Sequence, residues 1–209
     1  MPATHYGDAR IDQSAVEILV QQLLAVRRDT LTLVMPLQPD DFCLQGMADA
    51  SPPKWHLGHT TWFFEQFVLR SLLREGEAIA TALGYELAPA LWSFVFNSYY
   101  DAVGERHPRP QRGQLTRPAT SEVLAWRERV DRSLERLPAV LPLLPAERWQ
   151  SVLALVELGL HHEQQHQELL LMDLLDGFSR NPLEPVYLEG TGDDVVVPST
   201  DHSVEPETP

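Results

Sequence analysis

The stretch His162-Glu163-Gln164-Gln165-His166 constrains this chain more than any other, because it lies inside a long apolar helical pattern. Apolar residues flank it on both sides, over residues 153–160 and 169–172. Two histidines at positions i and i+4 project from the same side of a helix, one turn apart. The pattern therefore predicts two imidazoles directed into a helical core, where polar groups need partners.

A divalent metal ion is one such partner. Two neutral imidazoles one turn apart can bind a single ion, and imidazole suits Fe, Zn, Cu and Ni. A third ligand must then come from another helix, and the segment Trp55-His56-Leu57-Gly58-His59 offers two histidines. The spacing alone leaves the choice between His56 and His59 open. A half-buried polar face that binds nothing is the alternative interpretation of the histidine pair.

Helical position predicts which other polar residues near the histidine pair face the ion. His161 lies about 100° around the helix from His162, so it is not expected to share the ion. Gln165 and Glu168 are candidates for hydrogen bonds to the ligands, although solvated surface positions explain them equally well.

Composition excludes several classes of function. The 209 residues are 44% hydrophobic and 22% charged, as in an ordinary soluble globular domain. A formal net charge of −14 argues against nucleic acid and anionic membranes as partners. No apolar run reaches the ~18 residues of a membrane span, and the N-terminus has no signal pattern. Cys43 is the only cysteine, which excludes an internal disulfide and predicts a cytoplasmic location.

Four segments carry a helical pattern, and almost none carries the alternation of a strand. Ser51, before Pro52 and Pro53, is predicted to cap the second helix, and Thr120 or Ser121 the third. An all-α four-helix bundle follows. The four predicted helices cover residues 14–34, 54–73, 120–137 and 145–178.

The bundle is predicted to occupy residues 14–188, between an N-terminal tail, 1–13, and an acidic disordered tail or linker, 189–209. The connection between the second and third helices, residues 75–119, is predicted to be irregular apart from a short helix around 90–100. A structureless stretch of that length within a domain is usually functional.

Several motifs occur in the order found in one known family. The chain resembles the N-terminal DinB-like domain of the ergothioneine-biosynthesis sulfoxide synthases (EgtB type) over about residues 14–188. The motifs that carry this resemblance are Trp55-His56-Leu57-Gly58-His59-Thr60, Phe96-Asn97-Ser98-Tyr99-Tyr100, Arg109-Pro110-Gln111-Arg112-Gly113 and His161-His162-Glu163-Gln164-Gln165-His166-Gln167-Glu168-Leu169.

The resemblance implies a ligand set and a reaction. It implies that His59, His162 and His166 bind a non-heme Fe²⁺ ion, with Zn²⁺ or Ni²⁺ as alternative metals. The implied enzyme is an iron(II)-dependent oxidoreductase. It uses oxygen to join a cysteine-type thiol, γ-glutamylcysteine or cysteine, to hercynine and forms a sulfoxide. The family's thiol-binding arginines correspond to Arg109 and Arg112.

The enzymes of that family continue into a formylglycine-enzyme-like domain that supplies much of the hercynine pocket. Because this chain ends at Pro209, we expect its activity to be incomplete without such a domain, supplied in trans. Three alternatives remain open. They are a stand-alone DinB-type thiol S-transferase that uses zinc or nickel, a selenoneine-type synthase domain, and a non-catalytic partner subunit.

Overall fold

The computed structural model of this chain describes residues 12–98 and 100–188. Within these ranges the fold is all-α and contains no strand, as the sequence predicts. The four long helical stretches are α1 (Gln13–Val34), α2 (Pro53–Phe63) continued through a π-helical segment (Phe64–Leu69) into α3 (Arg70–Leu72), α6 (Thr120–Leu134) and α8 (Ala146–Ser179). The shorter helices are α4 (Glu77–Leu83), α5 (Ala90–Phe96) and α7 (Leu137–Val140). The 3₁₀ turns are Pro39–Cys43, Asp101–Val103, Arg109–Gln114 and Leu141–Leu143.

Helix α8 is the centre of the packing. Helix α1 runs along it, while α2 packs against both α6 and α8. In α1 the buried apolar residues Val16, Val20, Leu23 and Leu24 recur at intervals of three and four, which turns one face of the helix to the core. Each such side chain contributes about 1.5–3 kcal/mol when fully buried. The tertiary packing therefore stabilises these helices more than their intrinsic propensity does.

The predicted helix caps are wrong in two places. The residue before α2 is Pro52, which offers no side-chain cap. The hydroxyl of Ser51 instead accepts a 2.8 Å hydrogen bond from Arg112, a buried guanidinium that is a stronger partner than a backbone amide. At α6 the capping position is Ala119, whose backbone N–H donates to the carboxylate of Glu122 at 2.7 Å.

The connection between the second and third long helices is more ordered than predicted. The predicted short helix around 90–100 corresponds to α5, which packs against α2 and buries Val95 and Phe96. Helix α4 was not predicted. Its seven residues span less than the window over which hydrophobic periodicity can be recognised.

Two glycines allow close packing around the helices that carry the histidines. A Cβ atom on Gly58 would lie 2.1 Å from the ring of Phe96, and one on Gly159 would lie 2.4 Å from the ring of Phe64. Any other residue at position 58 would push α2 away from α5, and any other residue at position 159 would push α8 away from the π-helical segment. Gly159, one turn before His162, therefore lets α8 approach the helical stretch that carries His59, while Gly58 keeps α5 close to α2.

The π-helical segment turns an acidic residue into the core. Glu65 is buried and accepts hydrogen bonds from the backbone N–H of Ala88 and from Trp126 Nε1, both at 2.9 Å, and from the hydroxyl of Tyr85. The wider turn of a π-helix shifts the register of the side chains that follow it. Glu65 thereby joins α2 to α6 and to the connection after α4.

A buried charge network links α1, α6 and α8. Glu163, which is 0% exposed, accepts hydrogen bonds from Arg27 Nη1 at 2.8 Å, Arg127 Nη2 at 2.6 Å and Thr30 Oγ1 at 2.7 Å. Arg27 also pairs with Asp131. Burial alone would raise the pKa of Glu163, but Arg127 and Arg27 lower it to about 2, so the carboxylate stays charged.

None of the helices described combines the length and the apolar character that crossing a membrane requires. The chain enters α1 through Asp12, whose Oδ1 accepts from the backbone N–H of Ser14 at 3.1 Å. Residues 1–11 and 189–209, which contain most of the predicted N-terminal tail and the whole predicted acidic tail, lie outside the described part of the chain.

Replacement of Glu163 by Gln is expected to lower the free energy of unfolding by about 3–5 kcal/mol, the cost of breaking a buried ion pair. The reason is that Arg27 and Arg127 would remain buried with one carboxylate fewer between them. Urea denaturation followed by circular dichroism measures the loss. The matched control is Glu128→Gln, since Glu128 pairs with Arg132 on the exposed face of α6 and should change stability by less than about 1 kcal/mol. Equal losses of stability in the two variants would contradict a stabilising role for the buried ion pairs of Glu163.

Candidate metal centre

Three histidines from two helices converge at one point. His59 lies on α2, and His162 and His166 lie on α8. Each offers one ring nitrogen, and the three nitrogens all lie within 4.8 Å of one another. The Nε2 atoms of His59 and His162 are 3.2 Å apart. An ion bound at 2.0–2.1 Å from each nitrogen needs donor separations of roughly 3–3.5 Å, so small ring rotations are enough to complete the site.

His59 is held by the backbone of the connection. Its Nδ1 donates a 2.6 Å hydrogen bond to the carbonyl of Phe96, the last residue of α5. A neutral imidazole with its proton on Nδ1 has a lone pair on Nε2, which is the atom that faces His162. The ring also stacks on Trp55, with ring centroids 4.6 Å apart, and on Trp62. Both its tautomer and its orientation are therefore suited to a metal ion.

His162 presents a buried polar atom with no protein partner. Its Nδ1 is buried and has no hydrogen bond within the described residues, while its ring packs against Phe63. Leaving a buried polar atom unpaired costs free energy. A metal ion would not give Nδ1 a partner, because an ion on Nε2 leaves the ring proton on Nδ1. The atom that suits an ion is Nε2, which faces the lone pair of His59 Nε2 at 3.2 Å. The donor set thus fits an ion.

All three imidazoles are kept neutral by their surroundings. Burial lowers the pKa of His162 to about 4. Burial also lowers the pKa of His59 well below its usual value, and the neighbouring His162 lowers it further. The pKa of His166 is lowered by burial and then by the three surrounding histidines. Neutral imidazole is the form that binds metal, so protons compete little with an ion at physiological pH.

The cluster lies in the wall of a cavity of about 440 Å³. Most of its lining residues are polar or ionisable, four histidines among them, and the rest are aromatic or apolar. Met47, Asp49, Gln165 and Met172 line the cavity and are themselves exposed, so the cavity opens to solvent along this rim. A small substrate can reach the histidines from that side.

Arg109 and Arg112 lie at different depths relative to the cavity. Arg109 is half-buried and lines the cavity. Arg112 is 3% exposed and lies behind the cavity wall, with its guanidinium 3.4 Å from the ring centre of Trp55. It donates to the hydroxyl of Ser51 at 2.8 Å and lies 3.5 Å from the hydroxyl of Ser98. Of the two arginines to which the resemblance gives thiol binding, Arg109 alone lines the cavity, and substrate binding by either stays a prediction.

The other polar residues around the histidine pair differ in their positions relative to the cavity. His161 is exposed and contacts Gln164 at 3.2 Å, away from the cluster, as its helical position indicates. Gln165 lines the cavity. Glu168 is exposed and does not line this cavity, which favours the solvated-surface interpretation for that residue.

Sequence reasoning missed Asp173. This residue is buried, lines the cavity and lies 3.2 Å from His56 Nε2 through its Oδ2 atom. Its position seven residues after His166 places it on the same face of α8, two turns further along. An acidic residue at that spacing within an apolar helix was a signal that could have identified it.

A helical bundle with a buried histidine cluster at a cavity defines a metal-binding class of domain. The model of the DinB superfamily matches residues 22–170, which include all three histidines. The chain belongs to the DinB superfamily. No curated protein matches the sequence.

Replacement of His59, His162 or His166 by Ala is expected to weaken metal binding by more than about tenfold. Even the hydrogen-bond partners of ligands contribute about 10–100-fold to affinity, and a ligand contributes at least as much. Competition against a chelator, with Zn²⁺ or Fe²⁺ added anaerobically, measures the affinity. His161→Ala is the matched control on the same helix, because its exposed side chain points away from the cluster. Unchanged affinity in any of the three variants would remove that residue from the ligand set.

Proposed function

We propose that this domain binds Fe²⁺ through His59, His162 and His166. We further propose that it takes part in oxygen-dependent carbon–sulfur bond formation between a cysteine-type thiol and hercynine. The observation that carries the proposal is the neutral three-histidine cluster in the wall of an open cavity that Arg109 also lines. Three protein ligands leave further coordination positions for substrates, as in catalytic metal sites. The resemblance of its motifs to those of the sulfoxide synthases supports the choice of a thiol and hercynine as substrates.

The ion, when bound, would supply Lewis acidity and redox chemistry. The chain's own residues hold that ion and shape the space beside it. Burial keeps the three imidazoles neutral, so the ion would keep its full positive charge toward substrates. Trp55 and Tyr100 give the cavity two aromatic walls.

In this proposal, Arg109 and Arg112 contribute to recognition of the thiol substrate. Cysteine and γ-glutamylcysteine carry carboxylates, and a guanidinium binds a carboxylate through two parallel hydrogen bonds. Arg109 lines the cavity, which supports such a contact. Arg112 would act through the wall, because its stacking on Trp55 and its hydrogen bond to Ser51 hold two lining residues in place.

Replacement of Arg109 by Ala is expected to weaken binding of γ-glutamylcysteine or cysteine by about 1.5–3 kcal/mol, the range for a hydrogen bond to a charged group. Metal content should not change, because Arg109 is not in the histidine cluster. Calorimetric titration of the metal-loaded protein with thiol measures the change. Arg117→Ala is the control, since Arg117 is exposed on the same connection and does not line the cavity. Equal thiol affinities in the two variants would show that Arg109 does not bind the thiol substrate.

The open rim bears on whether this chain acts alone. Water that enters a site weakens the electrostatic interactions needed to hold a charged betaine and to direct oxygen chemistry. A formylglycine-enzyme-like domain placed over Met47, Asp49 and Met172 would close the cavity. We therefore propose that such a domain, acting in trans, completes the site.

Residues 1–209, loaded anaerobically with Fe²⁺, are expected to bind thiol but to consume oxygen slowly with thiol and hercynine. Addition of a formylglycine-enzyme-like domain should raise the rate. Oxygen uptake and mass spectrometry of the sulfoxide product are the measurements. Fast sulfoxide formation by residues 1–209 alone would exclude the need for a partner. Oxygen-independent transfer of the thiol with Zn²⁺ or Ni²⁺ would instead identify a DinB-type thiol S-transferase.

A further inference from the structure

His56 contacts the three-histidine cluster without belonging to it. It is 3% exposed and lies on α2, one turn before His59. Its Nδ1 is 2.9 Å from Nδ1 of His166, and its Nε2 is 3.2 Å from Oδ2 of Asp173. The same carboxylate oxygen accepts a 2.7 Å hydrogen bond from the backbone N–H of Ser51. A continuous row of buried hydrogen bonds therefore ends at one of the candidate ligands.

The direction of each hydrogen bond in this row follows from simple chemistry. A carboxylate only accepts, so the proton between Asp173 and His56 belongs to Nε2 of His56. A neutral His56 then has a bare Nδ1, which can only accept. The facing Nδ1 of His166 must therefore carry a proton and donate it. Because a neutral imidazole has one ring proton, Nε2 of His166 is left with a lone pair.

We propose that Asp173 and His56 set the tautomer of His166 and thereby make its Nε2 a metal ligand. The proposal rests on the metal binding proposed above and extends it to two positioning residues. A metal-bound histidine commonly donates its second N–H to a carboxylate, a carbonyl or water. Here the acceptor is another histidine, whose own proton is fixed in turn by a carboxylate.

The three candidate ligands differ in what fixes them. His59 is oriented by a backbone carbonyl, that of Phe96, which no side-chain substitution removes. Nδ1 of His162 has no partner among the described residues. Of the three, only His166 has its Nδ1 hydrogen-bonded to another side chain among the described residues, so its tautomer is the one that substitution can reverse. The reversed tautomer would carry its proton on Nε2 and could not bind an ion through that atom.

The tautomers can be observed directly in the unmodified chain. Zinc is diamagnetic, so long-range ¹H–¹⁵N correlation spectra of the zinc-loaded protein report which ring nitrogens carry protons or metal. The expected result is a proton on Nε2 of His56, a proton on Nδ1 of His166 and zinc on Nε2 of His166. A proton on Nδ1 of His56, or zinc on Nδ1 of His166, would overturn the proposal. If the chain bound neither Zn²⁺ nor Fe²⁺, the proposed function would fail first and this inference with it.

Two substitutions of His56 separate hydrogen bonding from packing. His56→Phe fills the space but accepts nothing from His166, so metal affinity should fall by about 10–100-fold. His56→Gln has an amide that can accept from His166 and donate to Asp173, so it should stay close to the wild-type affinity. His161→Phe, on the exposed face of α8, is the control for adding an aromatic ring. Circular dichroism checks that each variant is folded. Equal affinities for His56→Phe and His56→Gln would show that His56 only fills space.

Discussion

The charged interaction at Glu163 is the constraint on which the rest of the structure depends. Its carboxylate is fully buried and binds Arg27 of α1 and Arg127 of α6. A buried charge is tolerated only when it is paired and hydrogen-bonded, so any arrangement of the three helices that separated these groups would be destabilised. Glu163 lies between the two candidate ligands of α8, His162 and His166, and the arrangement that satisfies it also fixes their position.

The central stretch of α8 therefore carries important polar residues on two of its faces. His162 and His166 face α2 and the cavity, while Glu163 and Gln167 face α1. Gln167 donates to the carbonyl of Val26 at 2.8 Å and so continues the contact that Glu163 begins. Both pairs have i, i+4 spacing, which keeps each pair on its own side of the helix. Structure and candidate chemistry are encoded by interleaved residues of the same motif.

The sequence predicted those parts of the site that depend on helical periodicity. The long helices and the position of the histidine pair follow from the spacing of apolar residues, and the choice of His59 followed from the family resemblance. The remaining features depend on tertiary contacts that no local pattern records. The burial of Arg112 against Trp55 arises from the path of the connection after α5. The contact between His56 and Asp173 arises from the angle at which α2 meets α8. Helix α4 is too short to show a period.

The hydrogen bond from His59 to the carbonyl of Phe96 has a consequence for how the site can vary between related proteins. Because the acceptor is main chain, position 96 can drift to other side chains that fill the same space without loss of the contact. Insertions or deletions in the connection would move the end of α5 and rotate the imidazole of His59 away from the other two histidines. The connection between α2 and α6 should therefore tolerate exchange of residues more readily than a change in length.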